Sequence, residues 1–596
     1  MVVGMLCVFA TVFAQKDSGD VYGEVQRFAE RRKVTRWLYD AVFVEPPDTV
    51  ERKKVGSPRV SRDPNRRFKG RSIRRIEVHV LDPFGGDVDD TTAMEVNRLE
   101  RWGNALHMRT REGTIRNRLL FAEHERLVPL RLSESERVLR STPMVNDVRV
   151  RAYPVKGSPD SVDVMVLVQD RWTLDGGISG DASSVDLRGT ERNLLGAGQE
   201  FTQTFRHSLD AQRPDWGGTH RLYSISNSFI GSTAQYLLQP AQDQVALSLD
   251  RPFYSPVARW AGNASFAHTW LRHQLDTLSE DAPYRSVADQ FTVDGWAGWN
   301  LAANSKRKES DGMSERVVAM RYADTWYRQR AVGPVWDSAF IGSRLALASF
   351  SLGARHYAKD RYLYRFGQTE DVVEGMLWTT TLGVRWPERG RSLPYVGGSF
   401  TRAAYVGFGD HLSVRFGLGG MIENGSVRDG VAMVDVDFFS RTFSMGRWRL
   451  RQFVRMIGGR TIRPSSAGSI TIGEDQLVGF SRSVWTGDAK FLLRTETVAY
   501  MPGSFLGFHF APVLSFGVAS VAGAGTRPLE GTLQPAVGLG VLIRNEHLLI
   551  RSFQISVAFY PPVFNDVDTW QWDALRSLAL RTADLAPSRP DVISVP

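Results

Sequence analysis

Hydrophobic and polar residues alternate along most of the second part of the chain. Val434, Val436 and Phe438, for example, are separated by single aspartates. A period of two residues is typical of β-strands whose two faces meet different environments. We therefore predict a long series of antiparallel strands over residues 173–560.

The last alternating segment covers residues 550–560. It contributes these apolar positions to the predicted closing strand: Phe553, Ile555, Val557 and Phe559. Pro561 and Pro562 end it, because proline cannot donate to a strand ladder. In the tail at residues 561–596, the spacing of Trp570, Leu575 and Leu578 predicts an amphipathic helix over residues 570–580.

Residues 71–172 combine strand and helix periods in a compact unit. Ser133 and Glu136 have the spacing of a capping box, in which a serine and a glutamate three residues later cap a helix start. The predicted elements are a strand from Ile73, a helix over 111–121, a helix beginning at Ser133, and strands over 145–153 and 162–169. The order is strand, helix, helix, strand, strand.

Composition favours a membrane setting for the alternating part. The chain has 32 Phe, 16 Trp, 16 Tyr and 54 Gly at a mean hydropathy of only -0.25, which suits two-faced strands better than membrane helices. Strands cross a bilayer only as a closed barrel, since every backbone amide must be paired. With about 24 residues for each strand and connection, residues 173–560 predict about 16 strands. A soluble sandwich also alternates, but the many segments with Tyr and Trp near their ends favour the barrel.

The first residues resemble a secretion signal. An apolar stretch precedes Gln15, so residues 1–14 are expected to be a signal peptide and residues 15–70 a flexible periplasmic lead. Cys7 is the only cysteine, and its removal with the signal excludes disulfides and thiol chemistry from the mature chain. The net charge of +9 indicates an ordinary basic surface, an arginine-lined lumen or binding to acidic lipid head groups. Nucleic acid is not expected as a partner, since the arginines are spread along strands.

A glycine-rich motif lies where the two parts of the chain meet, and we call residues 191–199 the seam. Its glycines and Asn193 suit a tight turn, and its two leucines can lie at a membrane interface. Its candidate functional residues are Glu191, Asn193, Leu194, Leu195, Gly196 and Gly198.

The seam motif resembles the first barrel hairpin of the BamA/TamA outer-membrane insertase superfamily, also described as the bacterial surface antigen family. The order of elements in residues 71–172 resembles a polypeptide-transport-associated (POTRA) domain. Together the two resemblances cover residues 71 to about 560. They imply a mainly β protein, in which one small α/β POTRA-like periplasmic domain precedes a transmembrane antiparallel β-barrel.

The resemblance also implies a loop folded into the barrel. Residues 473–480 are similar to that loop, with Gly479 and Phe480 at the family's tip positions. Val478 stands where the family has an arginine, and Arg482 is a candidate replacement. Glu496 matches the acidic position on the inner barrel wall that this arginine reaches.

The function implied by the resemblance is protein insertion or translocation at the bacterial outer membrane. Pairing of the first and last strands would be weak and form a lateral gate. Expected partners are outer-membrane lipid, nascent or unfolded outer-membrane polypeptides and periplasmic accessory proteins. Two alternatives remain, a two-partner-type secretion pore and a passive anion-preferring porin. The sequence shows no catalytic or phosphate-binding motif, so we expect neither an enzyme nor a cofactor.

Overall fold

A computed structural model describes residues 63–596, with gaps at 86–87, 89–97, 181–183, 209–212, 275–283, 304–313, 331–339, 364, 408, 466–469, 473–475, 478–484, 504–507, 524–525, 528, 546–551, 564–566, 568 and 575–583. The predicted signal peptide at residues 1–14 and residues 15–62 of the predicted lead lie outside the described residues. Residues 63–70, predicted as part of the flexible lead, belong instead to the small domain, because Phe68 is buried in its core. In the part of the chain that is described, no helix is both long and apolar enough to cross a membrane.

A small α/β domain comes first. After a 3-10 helix at Pro64–Phe68, its elements are β1 (Ser72–Leu81), α1 (Arg98–Leu106), α2 (Glu112–Arg116), α3 (Pro129–Arg140), β2 (Val145–Val155) and β3 (Ser158–Asp170). The sheet has the order β1-β3-β2, in which β1 and β3 are parallel and β2 and β3 antiparallel. Alternate residues of all three strands pack on one core with helices α2 and α3.

The helix boundaries predicted for this domain are wrong. Helix α3 begins at Pro129 rather than Ser133, because proline's fixed φ suits the first helical turn and its missing N–H needs no partner there. Ser133 lies inside the helix and donates to the carbonyl of Leu130. The expected helix over 111–121 is the short α2, and α1 is a helix that the sequence reading missed.

One large antiparallel sheet contains nearly all remaining strands. In chain order these are β4 (Leu174–Gly180), β5 (Ser184–Glu191), β6 (Gln199–Ser208), β7 (Asp215–Leu222), β8 (Gly231–Leu238), β9 (Gln242–Arg251), β10 (Trp260–Gln274), β11 (Tyr284–Asn300), β12 (Ser314–Arg330), β13 (Ser343–Asp360), β14 (Glu370–Pro387), β15 (Leu393–Val406), β16 (Asp410–Glu423), β17 (Ser426–Phe439), β18 (Phe443–Met445), β19 (Trp448–Ile462), β22 (Ala489–Tyr500), β23 (Phe508–Ala522), β24 (Thr532–Asn545), β25 (Ser552–Phe559) and β26 (Trp570–Ala574). Strands β20 (Ile470–Ile472) and β21 (Trp485–Gly487) pair separately. Each strand of the large sheet neighbours the next along the chain, apart from a direct β17–β19 contact beside the short β18.

The two faces of this sheet differ in the way the alternation predicts. On β13, Phe350 and Leu352 are exposed, whereas Ser349, Ser351 and Arg355 are buried. The same contrast recurs on β23 and β24. We call the side with exposed large apolar residues the outer face and the opposite side the inner face. This arrangement is the reverse of a water-soluble fold, in which large apolar side chains are buried.

The predicted strand number of about 16 is too low, since the sheet has about twenty strands. The estimate assumed one average spacing along the whole chain. Strands β4 to β9 are only seven to ten residues long and joined by short connections, so six of them fit between Leu174 and Arg251. Short hairpin loops give such close spacing.

The tail helix predicted over 570–580 is wrong for residues 570–574, and residues 575–580 lie outside the described residues. Trp570–Ala574 is strand β26, which pairs antiparallel with β25 between the register positions Ile555↔Ala574 and Phe559↔Trp570. Residues 550–560 therefore do not end the sheet. The physical reason is that β25 offers an unpaired edge after the Pro561–Pro562 turn, and backbone pairing satisfies that edge.

Candidate functional site

The seam joins the large sheet to the small domain through hydrogen bonds of Asn193, and we call this contact the latch. Asn193 is fully buried, and its side-chain amide donates to Thr110 Oγ1 at 2.8 Å and to the carbonyl of Met108 at 3.4 Å. Its side-chain oxygen accepts from the N–H of Gly198 at 2.9 Å. One asparagine therefore closes its own turn and holds the segment after helix α1. Glu191 supports the turn by accepting from the Asn193 N–H at 2.8 Å.

The seam glycines allow the turn, and they also allow the seam backbone to lie close to the small domain. Gly196 has φ +68°, its carbonyl accepts from the Arg111 N–H at 3.0 Å, and a Cβ there would lie 2.3 Å from the carbonyl oxygen of Arg109. Gly198 has φ +66°, and its Cβ would lie 2.7 Å from Met144 Cε. Leu194 is half-buried, whereas Leu195 is 59% exposed.

The seam is not the first hairpin of the sheet. Strand β4 and its hairpin with β5 precede it, and the seam joins β5 to β6. The change of composition at residue 191 marks this latch, while the sheet itself begins at Leu174.

We expect Asn193→Ala to destabilise the junction by about 1–3 kcal/mol, since buried polar partners lose their hydrogen bonds. Asn227→Ala is the matched control, because Asn227 is exposed in the turn between β7 and β8, and should change stability by less than about 0.5 kcal/mol. Thermal unfolding of both variants followed by circular dichroism checks this. Equal losses of stability in the two variants would contradict the role of Asn193 in joining the sheet to the small domain.

Helix α3 docks on the same end of the sheet. The turns after β5, β9 and β13 all lie there, because successive connections of an antiparallel sheet alternate between its two ends. Arg140 donates to Asp371 Oδ2 at 2.5 Å, and Arg137 donates to the carbonyl of Tyr254 in the β9–β10 turn. Arg365, in the β13–β14 connection, donates to the carbonyl of Asn146 at 3.2 Å.

A buried charge cluster forms the centre of this contact. Arg140 is 3% exposed in its side chain and also pairs with Glu136 at 2.7 Å and Asp147 at 2.9 Å. Lys359 at the end of β13 pairs with Glu136 as well. Burial acts to raise the pKa of Glu136, but Lys359 and Arg140 outweigh it and hold that pKa below its ordinary value. The carboxylate is therefore charged at neutral pH.

The outer edge of β2 is occupied by side chains. The N–H groups of Val150 and Ala152 donate to Glu136 and Asn65, and the carbonyl of Val150 accepts from Asn65 Nδ2 at 3.1 Å. Arg140 donates to the carbonyl of Val148. A polypeptide strand can pair with this edge only after these side chains move aside.

Two buried arginines on the inner face are paired with carboxylates. Arg355 and Glu315, both at most 2% exposed in their side chains, lie 3.0 Å apart. Arg451 is 1% exposed; it donates to Asp360 Oδ2 at 2.6 Å and to the carbonyl of Arg361 at 2.8 Å. Arg451 thereby holds the sheet to its β13–β14 connection. Because each arginine is paired with a carboxylate, its charge is already neutralised.

A short hairpin flanks the predicted inward loop and packs on the inner face, while residues 473–475 and 478–480 of that loop lie outside the described residues. Strands β20 and β21 pair with each other, and Ile472, Leu477 and Trp485 pack against residues of β22 to β25. Glu496 is buried, and Arg494 Nε donates to its Oε1 at 2.8 Å. The predicted tip residues Gly479 and Phe480 and the candidate partner Arg482 lie outside the described residues.

The predicted closing-strand residues alternate on β25. Ile555 and Phe559 are exposed on the outer face, Val557 is half-buried, and Gln554, Ser556 and Ala558 between them are buried. Phe553 is paired with Ile543 in the β24–β25 register. The set belongs to the second-last strand, because β26 follows it.

Sequence reasoning missed the residues that join the domain to the sheet. Glu136 and Arg140 have the i,i+4 spacing of a helical ion pair, which was a usable local signal. Asp371 is 231 positions away from Arg140, and no local pattern connects them. Residues 584–596, which lie against the inner face, were also missed.

Comparisons with known proteins give structural likeness only. No protein-family model matches the chain, and no curated protein matches it. It is similar to BamA from Haemophilus ducreyi lacking POTRA domains 1–3, at 12% identity and a TM-score of 0.31, covering 84% of this chain and 83% of that one. It is also similar to CdiB from Escherichia coli (10% identity, TM-score 0.37) and from Acinetobacter baumannii (11%, 0.30), each covering 94% of this chain and 98% of that one.

Proposed function

We propose that this protein assembles or translocates polypeptides at the bacterial outer membrane. One observation carries the proposal: a sheet of about twenty strands presents large apolar side chains outward and polar ones inward, and a small α/β domain is docked at one end. The outward apolar face fits lipid, and the polar inner face fits a barrel interior. The docked domain would lie in the periplasm, where it can meet unfolded chains and accessory proteins.

The proposed mechanism uses no cofactor and no enzymatic step. The small domain would hold an extended segment by strand addition, after the side chains on the β2 edge move. The strand order brings β26 back to β4, and we propose that the sheet closes there as a barrel with a lateral gate. These two strands have five and seven residues, against eighteen in β13, so few backbone hydrogen bonds would resist opening.

The porin alternative is less well supported by the inner face. An anion-preferring pore needs unpaired positive charge along its wall, whereas Arg355, Arg451 and Arg494 are each paired with a carboxylate. No specific observation favours the two-partner-type secretion pore over assembly.

Depletion of the protein tests the assembly function. We expect the amounts of at least some other outer-membrane barrels to fall when the outer-membrane proteome is compared before and after depletion. Unchanged levels of every other barrel would contradict it. Single-channel recording of the purified protein separates the porin, for which a stable, wide and ion-selective open state is expected.

The membrane position of the sheet has its own test. We expect Leu539→Arg, in the middle of β24, to cost about 2–4 kcal/mol of folding free energy in lipid, since a charge on the lipid face is desolvated. Leu529→Arg is the matched control, because both leucines are similarly exposed, at 61% and 59%, but Leu529 precedes the strand. Refolding into lipid vesicles, read from heat-modifiable gel mobility, gives the difference. Equal folding of both variants would argue against a lipid-facing β24.

A further inference from the structure

The segment at residues 584–596 crosses the inner face of the large sheet. We call it the strap. It has no regular secondary structure, and its contacts run from β11 to β22. Leu585 packs with Val373 and Ala403 on β14 and β15, and Val592 packs with Leu347 and Tyr395. The strap therefore covers strands that are far apart in the sequence.

Polar contacts fix the middle of the strap. Arg321 on β12 donates to Asp591 Oδ1 at 2.7 Å and to the carbonyl of Pro590 at 3.2 Å. Arg321 also donates to Asp294 on β11 at 2.8 Å, and Arg589 of the strap donates to the same carboxylate at 3.1 Å. Two wall residues and two strap residues thus form one alternating charge network.

Backbone contacts hold the rest of the strap without regard to its side chains. The N–H of Ile593 donates to the hydroxyl of Tyr395 at 2.8 Å, and Lys490 donates to the backbone oxygen of Pro596 at 2.6 Å. The contact of the Ile593 N–H with Tyr395 is available to any extended chain that lies in the same place.

The wall has room for the strap because it carries glycines there. A Cβ on Gly417 would lie 3.0 Å from Ile593 Cγ2, and a Cβ on Gly459 would lie 2.6 Å from Val595 Cγ1. Side chains at these two positions would meet the strap. The glycines, Tyr395, Arg321 and Lys490 together make a shallow track across the inner face.

The strap is held by side-chain packing and scattered polar contacts rather than by a strand ladder. Asp591 and Arg589 remain 44% and 49% exposed in their side chains, and half-exposed ion pairs contribute little. No ladder joins the strap to a strand in the described residues. An occupant bound by scattered contacts can be exchanged for another chain.

We infer that the inner face carries a binding track for extended polypeptide and that the strap is its internal occupant. The ligand class is an extended segment with small or β-branched residues and one acidic side chain opposite Arg321. A client segment would compete with the strap for the track. The client step rests on the proposed function, whereas the track and its occupancy by the strap do not.

A disulfide tests the position of the strap in the full chain. Cys7 is the only native cysteine, so Cys7→Ser gives a cysteine-free background. In the pair Gly459→Cys and Val595→Cys, the Cβ built on residue 459 lies 3.2 Å from the Cβ of Val595, and a small shift brings it to disulfide distance. The control is Gly459→Cys and Val595→Ala with Ser588→Cys, seven residues earlier in the strap and about 20 Å away along an extended chain. Alanine at 595 removes the two methyl groups that a side chain at 459 would meet, so both proteins tolerate the cysteine at 459. Mild oxidation should cross-link the first pair and leave the control free; equal or absent cross-linking overturns the proposal.

Peptide binding tests the track itself. A fluorescent synthetic peptide with the sequence of residues 584–596 should bind saturably to a variant that lacks the strap. It should bind at least roughly tenfold more weakly to the full chain, because an internal occupant reduces the competent fraction. If the deletion does not give a heat-modifiable folded protein, the full-length variant Ile593→Asp with Val595→Asp displaces the strap instead. No binding to either folded variant overturns the proposal.

Wall variants show whether binding uses the track. Arg321→Met in the strap-free protein should weaken peptide binding, whereas Arg344→Met should not, since Arg344 is 67% exposed in its side chain and pairs with Asp324. Equal effects of the two substitutions would overturn the assignment. The peptide result is independent of the depletion experiment. If the assembly function fails, the levels of other barrels stay unchanged but the peptide still binds; if the track fails, the peptide does not bind.

Discussion

Arg140→Met is expected to destabilise the contact between the small domain and the sheet by about 3–5 kcal/mol, the usual cost of removing one partner from a buried ion pair. Arg140 lies among Glu136, Asp147 and Asp371, whose side chains are at most 15% exposed. Methionine keeps much of the side-chain volume but leaves these carboxylates without their central cation. Of the three, Asp371 belongs to the sheet, so the loss should uncouple the two parts.

The same cluster predicts a dependence on pH. The pKa of Glu136 is lower in the folded protein than its ordinary value, so its pairing stabilises the folded state at pH above that ordinary value. This contribution is lost as pH falls through the folded pKa. We therefore expect the junction to weaken in acid, and the acid effect to be smaller in Arg140→Met, where the pKa of Glu136 is less depressed.

Arg131→Met is the matched control on the same helix. Arg131 pairs with Glu125 at 3.1 Å, but the side chains are 43% and 46% exposed, so its loss should cost at most about 1 kcal/mol. Thermal unfolding across pH compares the variants, and a double-mutant cycle with Asp371→Asn isolates the pair between domain and sheet. Equal losses for Arg131 and Arg140, or no coupling with Asp371, would show that the cluster does not join the two parts.

Gly196→Ala is expected to open the seam latch. The left-handed conformation at φ +68° costs an alanine about 1–3 kcal/mol, and the added Cβ would meet the Arg109 carbonyl oxygen at 2.3 Å. The backbone at Gly196 must then move away from the backbone at Arg109, which would also break the hydrogen bond from the Arg111 N–H to the Gly196 carbonyl. We expect faster proteolysis between the small domain and the sheet, and a lower unfolding temperature.

Gly189→Ala provides the comparison. Gly189 lies on β5 only a few residues earlier, and a Cβ there would have no atom within 4 Å. The Gly189→Ala variant should fold and resist protease like the unmodified chain. If the two alanine variants behave alike, close approach at Gly196 does not hold the domain against the sheet.

The alternation of apolar and polar residues predicted much of the fold, because it shows which face of a strand or helix is apolar and which is polar. The alternation on β24 and β25 correctly separated the exposed Leu539, Ile555 and Phe559 from buried neighbours. Periodicity failed where a local pattern allowed two answers. Trp570, Leu575 and Leu578 fit a helix, but the free edge of β25 pairs with residues 570–574 as a strand.

The candidate site was predicted in part. Asn193 and the seam glycines were recognised as turn residues, but a turn motif does not reveal that Thr110 and Arg109 lie against it. The residues of the strap carry no periodicity at all. Their position follows from the wall they cover, which is assembled from strands distant in sequence.

Local patterns were enough to predict a two-faced β-sheet, a small α/β domain before it and a turn where they meet, because side-chain period and turn chemistry are local properties. The contact of Arg140 with Asp371, the pairing of β26 with β25 and the strap on the inner face became visible only in the folded chain. These contacts join positions far apart in the chain. Their energies depend on burial and geometry that arise only once the strands have paired.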